Sequence, residues 1–253
     1  MRLVDKVAII TGGGRGIGKA YALGFAGEGA KVVIGDINLE NAKLTAKEIE
    51  SKGGVALPLY TDVSVEDSVA EMARNTVEIF GKIDILVNNA ARFYEMEGGA
   101  WDSWSIADWE KMFAVNVMGS WLCMKAVVPH MSATGRGKII NISSSTAEIG
   151  LYHLLPYTCS KGAIVTLTRC LAKALGEHNI NVNCISPGYT IDEATLRHLG
   201  GKVEAGDRHI QQRIIRRHQY PKDLVGTAIF LSSAESDFIT GQVIPVDGGE
   251  ILR

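Results

Sequence analysis

Short apolar runs alternate along the chain with longer stretches in which apolar residues recur at helical spacing. Runs of strand length lie at 7–11, 31–35, 55–60, 83–88, 138–143, 181–186 and 242–246. Most are apolar throughout instead of alternating, the pattern of a strand covered on both faces. Between them the spacing predicts helices near 16–28, 40–52, 65–79, 105–131, 157–177 and 221–232. The stretch 39–50 is the clearest, with one apolar face and one charged face. Strand and helix alternating in this way predict an α/β fold: a doubly wound parallel sheet of seven strands with helices on both faces. No low-complexity stretch, internal repeat or Pro/Ser-rich linker divides the 253 residues, so 1–253 reads as one domain.

Composition narrows the function classes. At 46% hydrophobic and 21% charged residues the chain can fill a core and does not read as disordered. A net charge of −2 argues against a general nucleic-acid binder, which carries a basic excess. Cys123, Cys159, Cys170 and Cys184 have no CxxC spacing. They read as buried free thiols of a reducing compartment, with no disulfide framework and no metal site. The N-terminal residues hold no long apolar region, and the run 7–10 is too short to span a membrane. A cytoplasmic protein without a membrane partner is expected.

The first strand runs into Thr11-Gly12-Gly13-Gly14-Arg15-Gly16-Ile17-Gly18, a GxxxGxG turn opening the first helix. A GxGxxG register starting at Gly14 fails, because position 19 is Lys19. Glycine suits a sharp turn whose backbone must approach a pyrophosphate, and the helix start offers free N–H groups to it. An ordinary loop is the alternative for a glycine cluster in isolation. Its place between a strand and a helix favours dinucleotide binding. Asp36 ends the second strand, where a carboxylate can accept from both adenosine ribose hydroxyls and repel a 2′-phosphate. Capping of the following helix is the other reading of Asp36. Arg15 dissents, since a cation at the turn could pair with a 2′-phosphate. On balance NAD is favoured over NADP.

These features, with Asp62-Val63, Asn88-Asn89-Ala90-Ala91, Asn116, the serines 143–145, Tyr157-x-x-x-Lys161 and Pro187-Gly188, make the chain resemble the short-chain dehydrogenase/reductase family over its whole length. The resemblance implies that Gly12, Arg15, Gly16, Ile17 and Gly18 hold the cofactor phosphates. It implies further that Asp62 and Val63 form the adenine pocket, and that Asn89 and Ala90 lie by the nicotinamide ribose. A helix cap is an additional reading of Asp62. Family members usually have glycine where this chain has Ala91, which puts that turn's geometry in question.

The resemblance also implies the reacting groups. Tyr157 is the general acid/base and Lys161, four residues on, shares its helix face and also holds ribose hydroxyls. A nearby ammonium and the oxidised nicotinamide favour the phenolate, so a lowered tyrosine pKa is expected. Ser144 is the serine at the family's distance before the tyrosine, and strand alternation sends it opposite Ser143 and Ser145. Asn116 holds a water in a proton relay to the lysine. Pro187, Gly188 and Thr190 lie near the carboxamide; the threonine usual five residues after the proline is here Asp192.

Three segments would wall a substrate pocket: 92–104, 149–155 and 189–220. The first two are rich in aromatic and aliphatic groups, and Tyr94, His153 and Tyr189 are the substrate candidates beside Ser144. Trp101 and Trp104 read equally as packing or subunit contacts. From 196 to 222 there are seven Lys/Arg and two Asp/Glu, a charge of +5, leaving −7 elsewhere. That stretch reads either as a recognition element for an anionic substrate group or as a solvated lid or interface, with Gly200-Gly201 as a hinge. The expected activity is NAD-dependent interconversion of a secondary alcohol and a ketone, and the resemblance implies a homotetramer. The alternatives are an NADPH-dependent 3-oxoacyl-thioester reductase and, in another class, a non-catalytic cofactor-binding protein.

Overall fold

A computed structural model describes residues 1–93 and 98–252, with the side chains of His198 and Ala205 outside the described set. The expected alternation is present: β1 (Val7–Thr11), α1 (Gly16–Gly27), β2 (Lys31–Asp36), α2 (Leu39–Ser51), β3 (Val55–Tyr60), α3 (Glu66–Phe80) and β4 (Ile85–Asn88). The second half holds α4 (Ile106–Phe113), α5 (Ser120–Ala133), β5 (Gly137–Ile142), α6 (Thr146–Ile149), α7 (Leu155–Leu175) and β6 (Ile180–Pro187). It closes with α8 (Glu193–His198), α9 (Arg208–Gln211), α10 (Lys222–Ser232) and β7 (Val243–Val246).

All seven strands pair in parallel, in the order β3-β2-β1-β4-β5-β6-β7. The apolar strands are explained by what covers them. Ala8 and Ile10 of β1 pack on one side with Tyr21, Phe25 and the α10 residue Leu224. Ile9, between them, faces the other side with Met72, Cys123, Val127 and Met131. Each fully buried side chain of this kind contributes about 1.5–3 kcal/mol. Both edge strands carry a proline, Pro58 in β3 and Pro245 in β7, where one outer N–H is not needed by a neighbour. The strand order reverses between β1 and β4, so the crevice for a ligand lies at the carboxyl ends of those strands.

The span Ile106–Ala133 is long and apolar enough to cross a membrane, yet Cys123, Met124, Val127 and Met131 are buried against the sheet as core. The expected single helix over 105–131 is interrupted by a π-helical turn at Ala114–Gly119. There the Ser120 hydroxyl donates to the Asn116 carbonyl (2.9 Å) and the Asn88 amide donates to the Ser120 carbonyl (3.3 Å). These side chains satisfy carbonyls that the widened turn would strand. The thiols also depart from expectation. Cys123 and Cys184 are buried, but Cys159 and Cys170 lie exposed on α7, because an amphipathic helix turns those positions outward.

Candidate active site

The glycine turn packs against the start of α1 so closely that a side chain is excluded. A Cβ on Gly18 would collide with the Gly12 carbonyl, and Gly16, at φ +55°, faces the Asp192 carboxylate. No side chain caps the α1 N-terminus at Arg15, so its N–H groups remain for a ligand. The Asn89 amide fixes the turn, donating to the carbonyls of Thr11 (3.0 Å) and Gly12 (3.2 Å). Thr11 Oγ1 accepts in return from the N–H groups of Asn89 and Ala90, both at 3.1 Å. Ala91 is not among the described non-glycine residues with positive φ, so its methyl brings no backbone strain to this turn.

Asp36 does not cap α2; Asn38 does, accepting from the Asn41 N–H at 3.0 Å. The two Asp36 oxygens instead accept from the N–H groups of Gly14 (2.9 Å) and Asn38 (2.8 Å), which hold the carboxylate at the end of β2. Asp62 likewise leaves α3 uncapped and accepts from the Ser64 N–H (2.9 Å) and hydroxyl (2.6 Å).

The reacting groups lie where β5 meets α7. Ser143 and Ser145 donate their N–H groups to Ile185 (2.8 Å) and Pro187 (2.9 Å), continuing the parallel ladder past the strand. Ser144 between them therefore faces the other way, toward the cleft that Tyr157 also lines. Lys161 is buried with its Nζ donating to the Ile142 carbonyl at 2.8 Å and 5.6 Å from the Tyr157 ring centre. Burial pushes Tyr157 up to about 12, opposed by the nearby Ser144 hydroxyl, and pushes Lys161 down to about 8. In the protein alone, loss of hydration outweighs the local donors; the lowered tyrosine pKa is expected with the oxidised nicotinamide in place.

A single cleft of about 530 Å³ joins these parts. Every expected cofactor residue except Gly16 lines it, and so do Ser144, His153 and Tyr189. Tyr94 lies outside the described residues. Trp101, 70% exposed, and Trp104 do not line it, which leaves them as packing or contact residues. Asn116 does not line it either. Its Nδ2 donates to Ser160 Oγ (3.0 Å) and its Oδ1 accepts from the Arg92 N–H (2.7 Å), and no hydrogen bond links it to Lys161 among the described residues. These bonds make it a positioning residue tying the π turn to α7.

Residues the sequence reading did not single out also line the cleft, Thr61, Thr146, Arg208, Gln212 and Glu250, together with His209 of the basic stretch. The buried hydroxyls of Thr61 and Thr146 have no partner among the described residues, as suits a cleft that takes a polar ligand. With the uncapped helix start and the Asp36 carboxylate, they fit a dinucleotide. Gly200 and Gly201 stop α8 in left-handed backbone, donating to the Arg197 (3.0 Å) and Leu196 (2.9 Å) carbonyls. No group of three or more His, Cys, Asp or Glu fit to hold a metal occurs among the described residues.

A family model described as enoyl-(acyl carrier protein) reductase matches residues 12–250. The chain is 39% identical to the (2S)-[(R)-hydroxy(phenyl)methyl]succinyl-CoA dehydrogenase subunit BbsD of Thauera aromatica, over 100% of this chain and 99% of that protein. It is 36% identical to the 3-oxoacyl-[acyl-carrier-protein] reductase FabG of Thermotoga maritima, with both chains fully covered. A crystal structure of a short-chain type dehydrogenase/reductase from Mycobacterium marinum superposes with a TM-score of 0.91 at 32% identity, covering 100% of this chain and 98% of that one.

Proposed function

This chain belongs to the short-chain dehydrogenase/reductase family, and we propose that it is an NAD-dependent enzyme interconverting a secondary alcohol and a ketone in the cytoplasm. The observation that carries the reading is Tyr157, beside buried Lys161 and in the same cleft as Ser144, the glycine turn and Asp36.

A bound nicotinamide dinucleotide would supply the hydride acceptor or donor. Gly12, Ile17, Gly18 and the α1 N-terminus would hold its phosphates, and Asp62, Val63, Asn89, Ala90, Pro187, Gly188 and Thr190 would line its length. Ser144 holds the substrate oxygen and orients it toward Tyr157. In oxidation Tyr157 Oη takes the carbinol proton; in reduction it returns a proton to the same oxygen. Lys161 favours the phenolate by its charge, and the Ile142 carbonyl fixes where that charge sits. Phe93, whose ring centre is 4.7 Å from that of Tyr157, excludes water from one side. Asp36 supports NAD, because its fixed negative charge would face a 2′-phosphate.

Four cysteines free of disulfides support a reducing compartment. A homotetramer is part of the same proposal, supported by Met118 and Trp121, which stand exposed along the 106–133 span. The FabG likeness keeps a 3-oxoacyl-thioester reductase as the second reading. Replacement Tyr157→Phe tests the core claim: turnover should fall by about 10²–10⁴-fold while NAD still binds. Near-normal turnover in that variant would remove Tyr157 from the chemistry.

A further inference from the structure

The basic stretch noted in the sequence resolves into cations with different fates. Arg213 is buried, donating to the Tyr189 carbonyl at 2.6 Å and standing 3.9 Å from Glu250. Arg217 is paired with Asp223 at 2.7 Å. Arg208 differs: it lines the cleft and has no ion pair among the described residues. The described Lys/Arg side chains lining the cleft are Arg15, Lys161 and Arg208, of which Arg15 belongs to the glycine turn and Lys161 to the reacting centre.

Arg208 is also oriented. Its Nε donates to His209 Nε2 at 3.3 Å, and His209 stacks on Tyr189 with ring centres 3.9 Å apart at 13°. Burial and the nearby cations Arg208 and Arg213 hold His209 down to about 4, so it is a neutral acceptor at physiological pH. Tyr189 is in turn held through its carbonyl by Arg213. The carboxylates on this side of the cleft have other work: Asp192 accepts from the N–H groups of Ala194 and Thr195, and Glu250 faces Arg213. Thr195 and Gln212 add polar groups to the same wall, while Ile149, Leu151 and Leu154 line the cleft with apolar ones.

We infer that Arg208 is a specificity-determining anchor for an oxyanion on the substrate, with His209 as its positioning residue. The substrate class is then a secondary alcohol or ketone with an apolar body and a carboxylate or phosphate. The inference rests on the alcohol–ketone reading above. A guanidinium with both Nη groups outside any hydrogen bond among the described residues offers the fork that such an anion takes in two parallel bonds.

The test uses the full-length enzyme with NAD. Its probes are phenyl-substituted secondary alcohols bearing a carboxylate, a phosphate monoester or a neutral primary amide, one to three methylenes from the carbinol carbon. NADH absorbance gives kcat and KM, and calorimetry on the NAD-loaded enzyme gives binding of the same compounds. The best anion should exceed its amide by roughly 10–100-fold in kcat/KM, through KM, and by a similar factor in affinity. Arg208→Gln should bring that ratio to within about threefold of one. His209→Phe, which keeps the stack on Tyr189 but not the acceptor, should fall between. The carboxylate and phosphate arms identify which anion is bound.

An amide handled as well as its acid by the wild type overturns the inference and leaves the alcohol–ketone reading standing. So does an Arg208→Gln variant whose main change is weaker NAD binding, since Arg208 then serves the cofactor. Absence of turnover on every compound, with NAD or NADP, strikes the alcohol–ketone reading instead. In that case the calorimetric ratio still decides whether Arg208 binds anions.

Discussion

Burial sets the terms on which Tyr157 can work. A phenol taken out of water resists ionisation, and here the effect carries Tyr157 to about 12 while the same burial brings Lys161 down to about 8. The two groups respond in opposite directions because burial disfavours whichever form is charged. Proton removal from an alcohol needs the phenolate, so oxidation should rise with pH, while reduction needs the phenol and should not. From pH 7 to 8 we expect kcat/KM for oxidation to climb by up to about tenfold, the rise slackening toward pH 9 as Lys161 loses the charge that favours the phenolate, and kcat/KM for reduction to stay level or fall. Paired pH profiles followed by NADH absorbance check this, and an oxidation rate flat over that range would detach Tyr157 ionisation from the chemistry. At this scale the sequence was informative for Ser144, Tyr157 and Lys161, whose spacing survives folding unchanged. How far burial opposes ionisation of that tyrosine was not legible, because desolvation depends on packing between residues distant in sequence, which spacing does not show.

Elements were legible to within about two residues at most strand and helix ends, since apolar runs and periodicity mark what faces the core. The π turn at Ala114–Gly119 was not, because one extra residue in a turn shifts the apolar face too little to break the pattern of the 106–133 span. The consequence falls on Asn116, which the sequence placed in a helix interior and assigned to a relay. In the fold it clamps the widened turn to Ser160 and to the Arg92 backbone. Asn116→Ala should therefore cost about 1–3 kcal/mol of stability, the penalty for leaving buried partners unsatisfied, and should lower kcat more than it raises the KM for NAD. Denaturant unfolding with initial-rate kinetics separates these effects. A variant with wild-type stability and a large rise in the KM for NAD would place Asn116 in cofactor binding. The short helices α6, α8 and α9 were also missed, being too brief to show a period. The charge split of +5 against −7 nonetheless pointed to the stretch that holds Arg208.

On the scale of the whole molecule, the seven-strand order brings the ends of β1, β2 and β4 to one crevice, so residues as distant in sequence as Gly12, Asp36 and Asn89 line one cleft. That convergence was legible because alternating apolar strands and helices admit few topologies, and the right-handed crossover excludes most of those. It makes folding and cofactor binding one linked equilibrium: a dinucleotide that touches three strand ends binds the native state alone. At a concentration about 100 times its Kd, such a ligand stabilises by roughly 2.7 kcal/mol, which in a chain of this length raises Tm by about 5–10 °C. The sign of the cofactor preference then follows from Asp36. Its carboxylate is fixed by Gly14 and Asn38 and cannot swing away from a 2′-phosphate without breaking both bonds. NAD should raise Tm by several degrees more than NADP at equal concentration. In Asp36→Ala, where Arg15 is left as the charged group of that corner, the order should reverse or the gap should close. Thermal unfolding of both proteins with each dinucleotide measures this directly, and a larger shift with NADP in the wild type would show that Arg15, not Asp36, governs the choice.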